Sequence, residues 1–118
     1  MFTIRKSFNC DSAHKLIGLA EGHKCSTLHG HSYLITVELK SKYLNSVGMV
    51  RDYHELDSIK NYIDIVMDHN DLNVVFDFNP TAENMAKHIF DMFKYKFPEL
   101  FAVEVSETAK TNARYEKS

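Results

Sequence analysis

Two histidines separated by one residue, His29 and His31, are the first side chains whose spacing suggests chemistry. The residues after them alternate between apolar and polar types, which predicts a β-strand, and residues i and i+2 of a strand point to the same face. Two neutral imidazoles held side by side can bind a metal ion at about 2 Å. The alternative is a pair of ordinary histidines at the start of a strand.

His14 is the third histidine that this arrangement can recruit. It follows the first predicted strand and lies an even number of residues after the apolar residues of that strand, so in an extended chain it would point to the same face. If the first two strands pair as an antiparallel hairpin, the end of one lies beside the start of the other, next to His29 and His31. Three histidines without an obvious fourth protein ligand are typical of a catalytic Zn²⁺ with an open position. In the alternative interpretation, His14 is a loop residue.

Cys25 lies four residues before His29 and directly follows Lys24. A thiol near a metal ion and a lysine ionises more readily than a free thiol, which makes Cys25 a candidate base or nucleophile near neutral pH. The alternative is a fourth zinc ligand, which would close the site and make the metal structural. The other cysteine, Cys10, is predicted to be a small buried hydrophobic residue of the first strand.

Three further side chains are candidates for acid–base chemistry or binding. Asp68 and His69 are adjacent, and adjacent residues do not readily form an oriented carboxylate–imidazole pair, so each is expected to meet another element or solvent. Glu107 continues the apolar parity of the last predicted strand, so the pattern directs a carboxylate into apolar surroundings, where a partner or ligand must meet it. If that strand ends earlier, Glu107 reaches water instead.

Three strands and two helices must position these side chains. Alternating apolar residues predict strands over residues 2–10, 29–40 and 101–109. The order strand, strand, helix, helix, strand predicts an α+β fold, in which two helices pack on one face of an antiparallel sheet. Such a sheet has open edges that the protein must protect or pair.

The two helices are predicted from capping residues and helical spacing. Asp52 can cap the first helix, with Glu55 completing a capping box, and a polar loop over residues 68–80 follows the helix. Thr81 can cap the second helix, in which His88 is predicted to be a surface residue. The first helix has apolar residues at Leu56, Ile59, Ile63 and Val66, and the second at Met85, Ala86, Ile89, Met92 and Phe93.

Length and composition exclude several classes of protein. The 118 residues predict one domain over residues 1–118, and 44% hydrophobic and 25% charged residues are typical of a globular protein. A net charge of −2 argues against a nucleic-acid binder with a basic surface. No run approaches the roughly 18 apolar residues of a membrane span. The N-terminal residues lack the pattern of a secretion signal, and two cysteines do not form a disulfide framework, so a cytoplasmic location is expected.

The motifs, taken in order, resemble the 6-pyruvoyltetrahydropterin synthase superfamily, and most closely its queuosine-pathway branch, 6-carboxytetrahydropterin synthase. The resemblance extends from Phe8 to Tyr115, and the ordered set is specific although each motif alone is weak. The spacing from Cys25 to His29 favours the queuosine branch, since the pyruvoyl branch has more residues there. The matching segments are residues 12–16 (SAHKL), 21–25 (EGHKC), 28–33 (LHGHSY), 48–53 (GMVRDY), 68–69 (DH) with 72–73 (LN), 80–84 (PTAEN) and 105–108 (VSET).

The resemblance implies the tunnelling fold, in which subunits join their sheets into a barrel and active sites lie between subunits. It therefore implies a homo-oligomer, expected to be a hexamer of two stacked trimers. It also implies Zn²⁺ held by His14, His29 and His31. The implied catalytic residues are Cys25, Asp68, His69 and Glu107, with Glu107 also anchoring the pterin and Thr81, Glu83 and Lys24 expected to contact substrate.

The implied reaction is a carbon–carbon lyase reaction that converts 7,8-dihydroneopterin triphosphate to 6-carboxy-5,6,7,8-tetrahydropterin, acetaldehyde and triphosphate. Lys24 or His23 is expected to attract the triphosphate. Two other functions remain open. One is the sibling synthase, which eliminates triphosphate to give the pyruvoyl product, and the other is a non-catalytic zinc-binding domain in which Cys25 closes the site.

Overall fold

The computed structural model describes residues 1–118, which form a four-stranded antiparallel sheet in the order β1-β2-β3-β4 with helices packed on one face. The strands are β1 Phe2–His14, β2 His29–Ser41, β3 Leu100–Ser106 and β4 Ala113–Glu116. The α+β prediction is confirmed. The sequence pattern missed β4, because four residues with only two partly buried side chains are too short for a clear period of two.

The β1–β2 hairpin places the candidate metal ligands. Its antiparallel register runs without interruption from Phe2 opposite Ser41 to His14 opposite His29. β1 therefore extends four residues beyond its predicted end, because β2 offers pairing partners up to His29. This register brings the end of one strand beside the start of the other, as predicted.

Residues 53–67 form a continuous helical segment, but not the single α-helix that the spacing predicts. A 3₁₀ turn over Tyr53–Leu56 leads into α1, Asp57–Tyr62, and a π-helical turn follows over Ile63–Met67. The amide of Asp68 closes the wide turn on the carbonyl of Ile63 at 2.8 Å. Met67, the last residue of this turn, is buried, and Asp68 follows it as the C-cap.

Of the predicted capping box at the start of this segment, the Asp52 cap is confirmed and the return contact from Glu55 is wrong. Asp52 is the N-cap, and its carboxylate accepts the backbone amide of His54 at 3.0 Å. Glu55 does not reach back to Asp52 but pairs with the guanidinium of Arg51. A charged donor four residues away is a stronger partner for this carboxylate than a backbone amide.

The segment after the π turn contains α2, Leu72–Val75, where a loop was predicted. α3 spans Ala82–Phe93, and the hydroxyl of Thr81 caps it by accepting the amide of Asn84 at 3.1 Å, as predicted. The predicted apolar stripe of α3 is wrong at Met92, which is 46% exposed. Phe90 is buried instead, because Tyr115 of the unpredicted strand β4 packs against it. None of the helices is long and apolar enough to cross a bilayer.

His88 is half-buried, so the prediction of a surface residue is wrong. Its Nε2 lies 2.7 Å from the hydroxyl of Tyr62, and its ring packs against those of Phe76 and Phe78. Burial lowers the pKa of His88, which favours the neutral imidazole. A polar residue in helical spacing can thus belong to the packed face when its nitrogen has a partner.

The two faces of the sheet differ in chemistry. One face and the helices enclose the hydrophobic core. The opposite face carries an ionic network in which Glu38, with 7% of its side chain exposed, pairs with Arg5 and Arg114. Hydrogen bonding from Arg114 holds the pKa of Glu38 below its ordinary value, although burial acts in the opposite direction. A buried carboxylate is tolerated there because guanidinium groups surround it.

Candidate metal centre and active site

Three imidazole rings meet at the closed end of the β1–β2 hairpin. The ring centroids of His14 and His29 are 4.7 Å apart, those of His14 and His31 5.1 Å, and those of His29 and His31 4.8 Å. One ring nitrogen from each histidine lies within 4.8 Å of the other two. His14 is completely buried and the other two are partly buried. The strand register therefore assembles three nitrogens around one point.

Backbone carbonyls determine which ring nitrogens are free to bind a cation. The Nδ1 of His14 lies 2.8 Å from the carbonyl of Pro80, and the Nδ1 of His29 lies 2.7 Å from the carbonyl of Thr27. A carbonyl can only accept, so each Nδ1 carries the proton and each Nε2 presents a lone pair. These two Nε2 atoms are 3.1 Å apart, and two facing lone pairs at that distance favour a shared cation.

The third nitrogen supports the same conclusion. The Nε2 of His31 is buried and makes no hydrogen bond. A buried polar atom without a partner is costly, and a metal ion would satisfy it. Burial also lowers the pKa of His14, so the neutral form that ligates metals is favoured. The residues present therefore fit a metal ion with three nitrogen ligands.

Tyr33 and Pro80 support His14 from behind, and sequence reasoning missed both. The Tyr33 hydroxyl lies 3.1 Å from His14 Nδ1, the atom that also contacts Pro80. Contacts of this kind orient metal-ligating histidines and fix their tautomer. The parity of β2 could have revealed Tyr33, because it follows His29 and His31 on the same face. Pro80 contributes through its carbonyl, which no sequence pattern distinguishes.

Asp68 and His69 contact each other, so the expectation that neighbours do not pair is wrong. The Oδ2 of Asp68 lies 3.0 Å from the Nδ1 of His69. His69 has a positive φ of 59°, which bends the chain so that the adjacent side chains can meet. The backbone of Asp11 holds this bend, since its carbonyl accepts the His69 amide at 2.6 Å and its amide donates to Asp68 Oδ1 at 2.8 Å.

His69 and one member of the histidine cluster, His31, open onto the same cleft. The His69 side chain is 80% exposed, whereas that of Asp68 is 24% exposed. His69 and His31 both line a cleft of about 600 Å³ beside the end of β1. An exposed imidazole backed by a carboxylate can exchange protons with a molecule in that cleft.

Glu107 lies directly after β3, because the strand ends at Ser106 and not at the predicted Ala109. Its side chain nevertheless does not escape to water. It is 25% exposed, and its Oε2 lies 3.3 Å from the Nε2 of His31. Glu107 and Glu83 also line a cavity of about 270 Å³ next to β4. The carboxylate therefore lies close to a histidine of the cluster without forming a hydrogen bond with it, and an adjoining cavity offers space for a ligand.

The remaining candidates lie apart from these groups within one chain. Cys25 is a free, partly buried thiol in a 3₁₀ turn over Lys24–Ser26, and it is not among the clustered ligand atoms. Lys24 is exposed, and neither residue lines the two clefts described above. The hydroxyl of Thr81 caps α3 and does not line these clefts either.

Comparisons with known proteins agree with the motifs and with the fold. A family model described as 6-pyruvoyl tetrahydropterin synthase matches residues 3–118. The chain is 35% identical over 125 residues to the 6-carboxy-5,6,7,8-tetrahydropterin synthase of Synechocystis sp., which covers 98% of this chain and 93% of that protein. It is 32% identical over 120 residues to the protein of the same name from Haemophilus influenzae, over 98% of this chain and 79% of that protein.

A solved structure shows the same architecture. The 6-pyruvoyl tetrahydropterin synthase of Caenorhabditis elegans superimposes with a TM-score of 0.87 at 27% identity, over 99% of this chain and 96% of that chain. Since the family model spans almost the whole sequence, the prediction of an enzyme is confirmed, and the chain belongs to the 6-pyruvoyl tetrahydropterin synthase family.

Proposed function

We propose that this protein is a Zn²⁺-dependent 6-carboxytetrahydropterin synthase of queuosine biosynthesis. As a carbon–carbon lyase, it converts 7,8-dihydroneopterin triphosphate and one molecule of water to 6-carboxy-5,6,7,8-tetrahydropterin, acetaldehyde and triphosphate. The observation that carries the proposal is the convergence of His14, His29 and His31 in a chain 35% identical to a 6-carboxy-5,6,7,8-tetrahydropterin synthase.

His14, His29 and His31 would hold the metal through their unprotonated ring nitrogens. Bound there, Zn²⁺ supplies Lewis-acid chemistry that polarises the side-chain hydroxyls of the substrate. The carbonyls of Pro80 and Thr27 keep two of the ligands in the required tautomer. A set of three protein nitrogens would suit a catalytic ion, whereas a closed structural zinc site has four protein ligands.

The other side chains divide proton transfer and recognition between them. Cys25, as thiolate, removes a proton from the first carbon of the substrate side chain. His69, oriented by Asp68, returns a proton from the cleft that it shares with His31. Glu107 accepts the adjacent N3–H and 2-amino donors of the pterin in two parallel hydrogen bonds.

Secondary contacts with the substrate follow from position and charge. Glu83 shares a cavity with Glu107 and is placed to contact the pterin. Thr81, at the start of α3, is a second contact of this kind. The exposed Lys24, or His23 beside it, attracts the triphosphate.

The complete site is proposed to form between subunits of a homo-oligomer. β1 and β4 are the two edges of the sheet, and joining them between copies would close the sheets of a trimer into a barrel. Two such rings stacked make the expected hexamer. Residues 1–118 act as one domain in each subunit, and the two free cysteines suit a reducing cytoplasm.

Identifying the reaction products tests the proposal. Purified protein loaded with Zn²⁺ is incubated with 7,8-dihydroneopterin triphosphate, and the products are analysed by mass spectrometry. We expect 6-carboxy-5,6,7,8-tetrahydropterin and acetaldehyde. A pyruvoyl product would show that the chain is instead the sibling synthase. The similarity to the 6-pyruvoyl tetrahydropterin synthase of Caenorhabditis elegans favours this alternative.

A catalytic variant separates the enzyme from a zinc-binding domain. Cys25→Ala should keep its metal and lose turnover by several orders of magnitude, because the thiol lies outside the ligand cluster. If the metal leaves together with the thiol, Cys25 is a ligand and the site is structural.

A further inference from the structure

The short segment after β1, Lys15–Ile17, is held by two asparagine side chains. The Oδ1 of Asn73 accepts the amide of Lys15 at 2.8 Å, and its Nδ2 donates to the Lys15 carbonyl at 3.0 Å. Asn79 does the same for Ile17, with both distances 3.0 Å. Each asparagine thus satisfies both backbone groups of one residue, as a neighbouring strand would.

This pairing continues an alternation that begins within β1. The amides of Asp11 and Ala13 point away from β2 and donate to the side chain of Asp68 and the carbonyl of Asn70, at 2.8 and 3.1 Å. The amides of Lys15 and Ile17 continue on the same side. The segment from Asp68 to Asn79 therefore lies along residues 11–17 and keeps them extended beyond the end of the hairpin.

Leu16 lies between Lys15 and Ile17, and its amide points to the opposite side, where Cys25 lies. The Leu16 amide donates to the carbonyl of Cys25 at 2.8 Å. Leu16 is two residues from His14, whose Nδ1 contacts the carbonyl of Pro80, the residue after Asn79. One segment of chain thus holds a metal ligand directly and the backbone of Cys25 through Leu16.

We propose that Asn73 and Asn79 are positioning residues that fix Cys25 relative to the histidine cluster. The inference rests on the proposed function, because it treats Cys25 as the catalytic base. An asparagine amide combines a donor and an acceptor that match one residue's carbonyl and amide, so alanine removes both bonds. Aspartate at the same place keeps the acceptor but sets a second oxygen against the backbone carbonyl.

The test compares Asn73→Ala, Asn79→Ala and Asn73→Asp with a matched control, Asn45→Ala. Asn45 also bridges backbone amides, those of Val47 and Met49, but lies at the other end of the hairpin. The first readout is the rate of Cys25 alkylation by iodoacetamide without substrate. Burial raises the pKa of Cys10 to about 11, so Cys25 is the reactive thiol, and Cys25→Ala provides the blank.

We expect Cys25 alkylation to accelerate at least about threefold in Asn73→Ala, Asn79→Ala and Asn73→Asp, which we call the clamp variants. Amide exchange at Lys15–Ile17 should also become faster, because the segment opens locally. Metal content should not change. kcat should fall at least about tenfold with KM changed less than about threefold, since misplacing a base affects the chemical step. Asn45→Ala should match the wild type in alkylation and kcat.

The two proposals can fail separately. Alkylation and exchange need no substrate, so unchanged rates in the clamp variants overturn the positioning role even if the enzyme is active. Faster alkylation with an unchanged kcat also overturns it. If the wild type forms no carboxylated pterin while alkylation responds as expected, the proposed reaction is wrong, but Asn73 and Asn79 still position Cys25. Because Asn73→Asp preserves side-chain volume, it tests the idea if an alanine variant does not fold.

Discussion

His31 is the candidate ligand whose metal-facing nitrogen has no hydrogen bond in the protein. The Glu107 carboxylate lies 3.3 Å from this nitrogen. We expect His31→Ala to lose most of the bound metal and to keep its secondary structure, because the ring is not part of the hydrophobic core. Elemental analysis and circular dichroism measure these two properties. His54→Ala is the control, since that side chain is 91% exposed, and full metal retention in His31→Ala would contradict the ligand assignment.

Glu107 is the residue on which recognition of the pterin should depend. Glu107→Gln keeps the shape of the side chain but turns one acceptor into a donor facing the donors of the ligand. We expect pterin binding to weaken by about 2 kcal/mol or more, with metal content and melting temperature little changed. Calorimetric titration with sepiapterin measures the loss. Wild-type affinity in this variant would show that the carboxylate does not meet the pterin.

At the scale of elements, the packing of α3 should make stability depend on pH through His88. Burial lowers the pKa of His88 in the folded state, opposed by the nearby carboxylates of Asp91 and Asp77. The unfolded chain therefore takes up the proton first as pH falls below about 6.5, so stability decreases toward acid. The neutral ring is also the one that packs against Phe76 and Phe78.

The corresponding variant is His88→Phe, which suits the aromatic surroundings and cannot be protonated. We expect the melting temperature of metal-free wild type to fall more between pH 7.5 and pH 5 than that of the variant. Burial lowers the pKa of His14 in both proteins, so comparing the decrease in melting temperature of the wild type with that of the variant isolates the effect of His88. Equal falls would show that this imidazole does not contribute.

At the scale of the whole molecule, the first edge of the sheet should control assembly. The register of β1 has no shift, so residues of the same parity as Asp11 and Ala13 direct their amides away from β2 along the whole strand. We expect the wild type to behave in light scattering as six copies of the 13.7 kDa chain. Thr3→Pro removes one outward amide without touching the hairpin bonds and should yield smaller species, whereas Thr3→Ala should not. A monomeric wild type would contradict the barrel.

Much of the site could be predicted from sequence because strand geometry is local. Side chains alternate with a period of two, so His29 and His31 had to share a face wherever β2 lies. An antiparallel hairpin then had to bring His14 beside them. The helix cap at Thr81 follows from an equally local rule, since a hydroxyl there accepts an amide of the first turn.

Tertiary structure decided the features that depend on contacts between distant segments. The tautomer of His14 depends on the carbonyl of Pro80, and the Asp68–His69 contact depends on a bend held by Asp11. The burial of His88 depends on a hydroxyl of another helix. No periodic pattern encodes these partners, because each is a single backbone or side-chain group whose position is set by packing. The sequence alone determined which residues share a face, and the fold determined which atom of each residue is free to react.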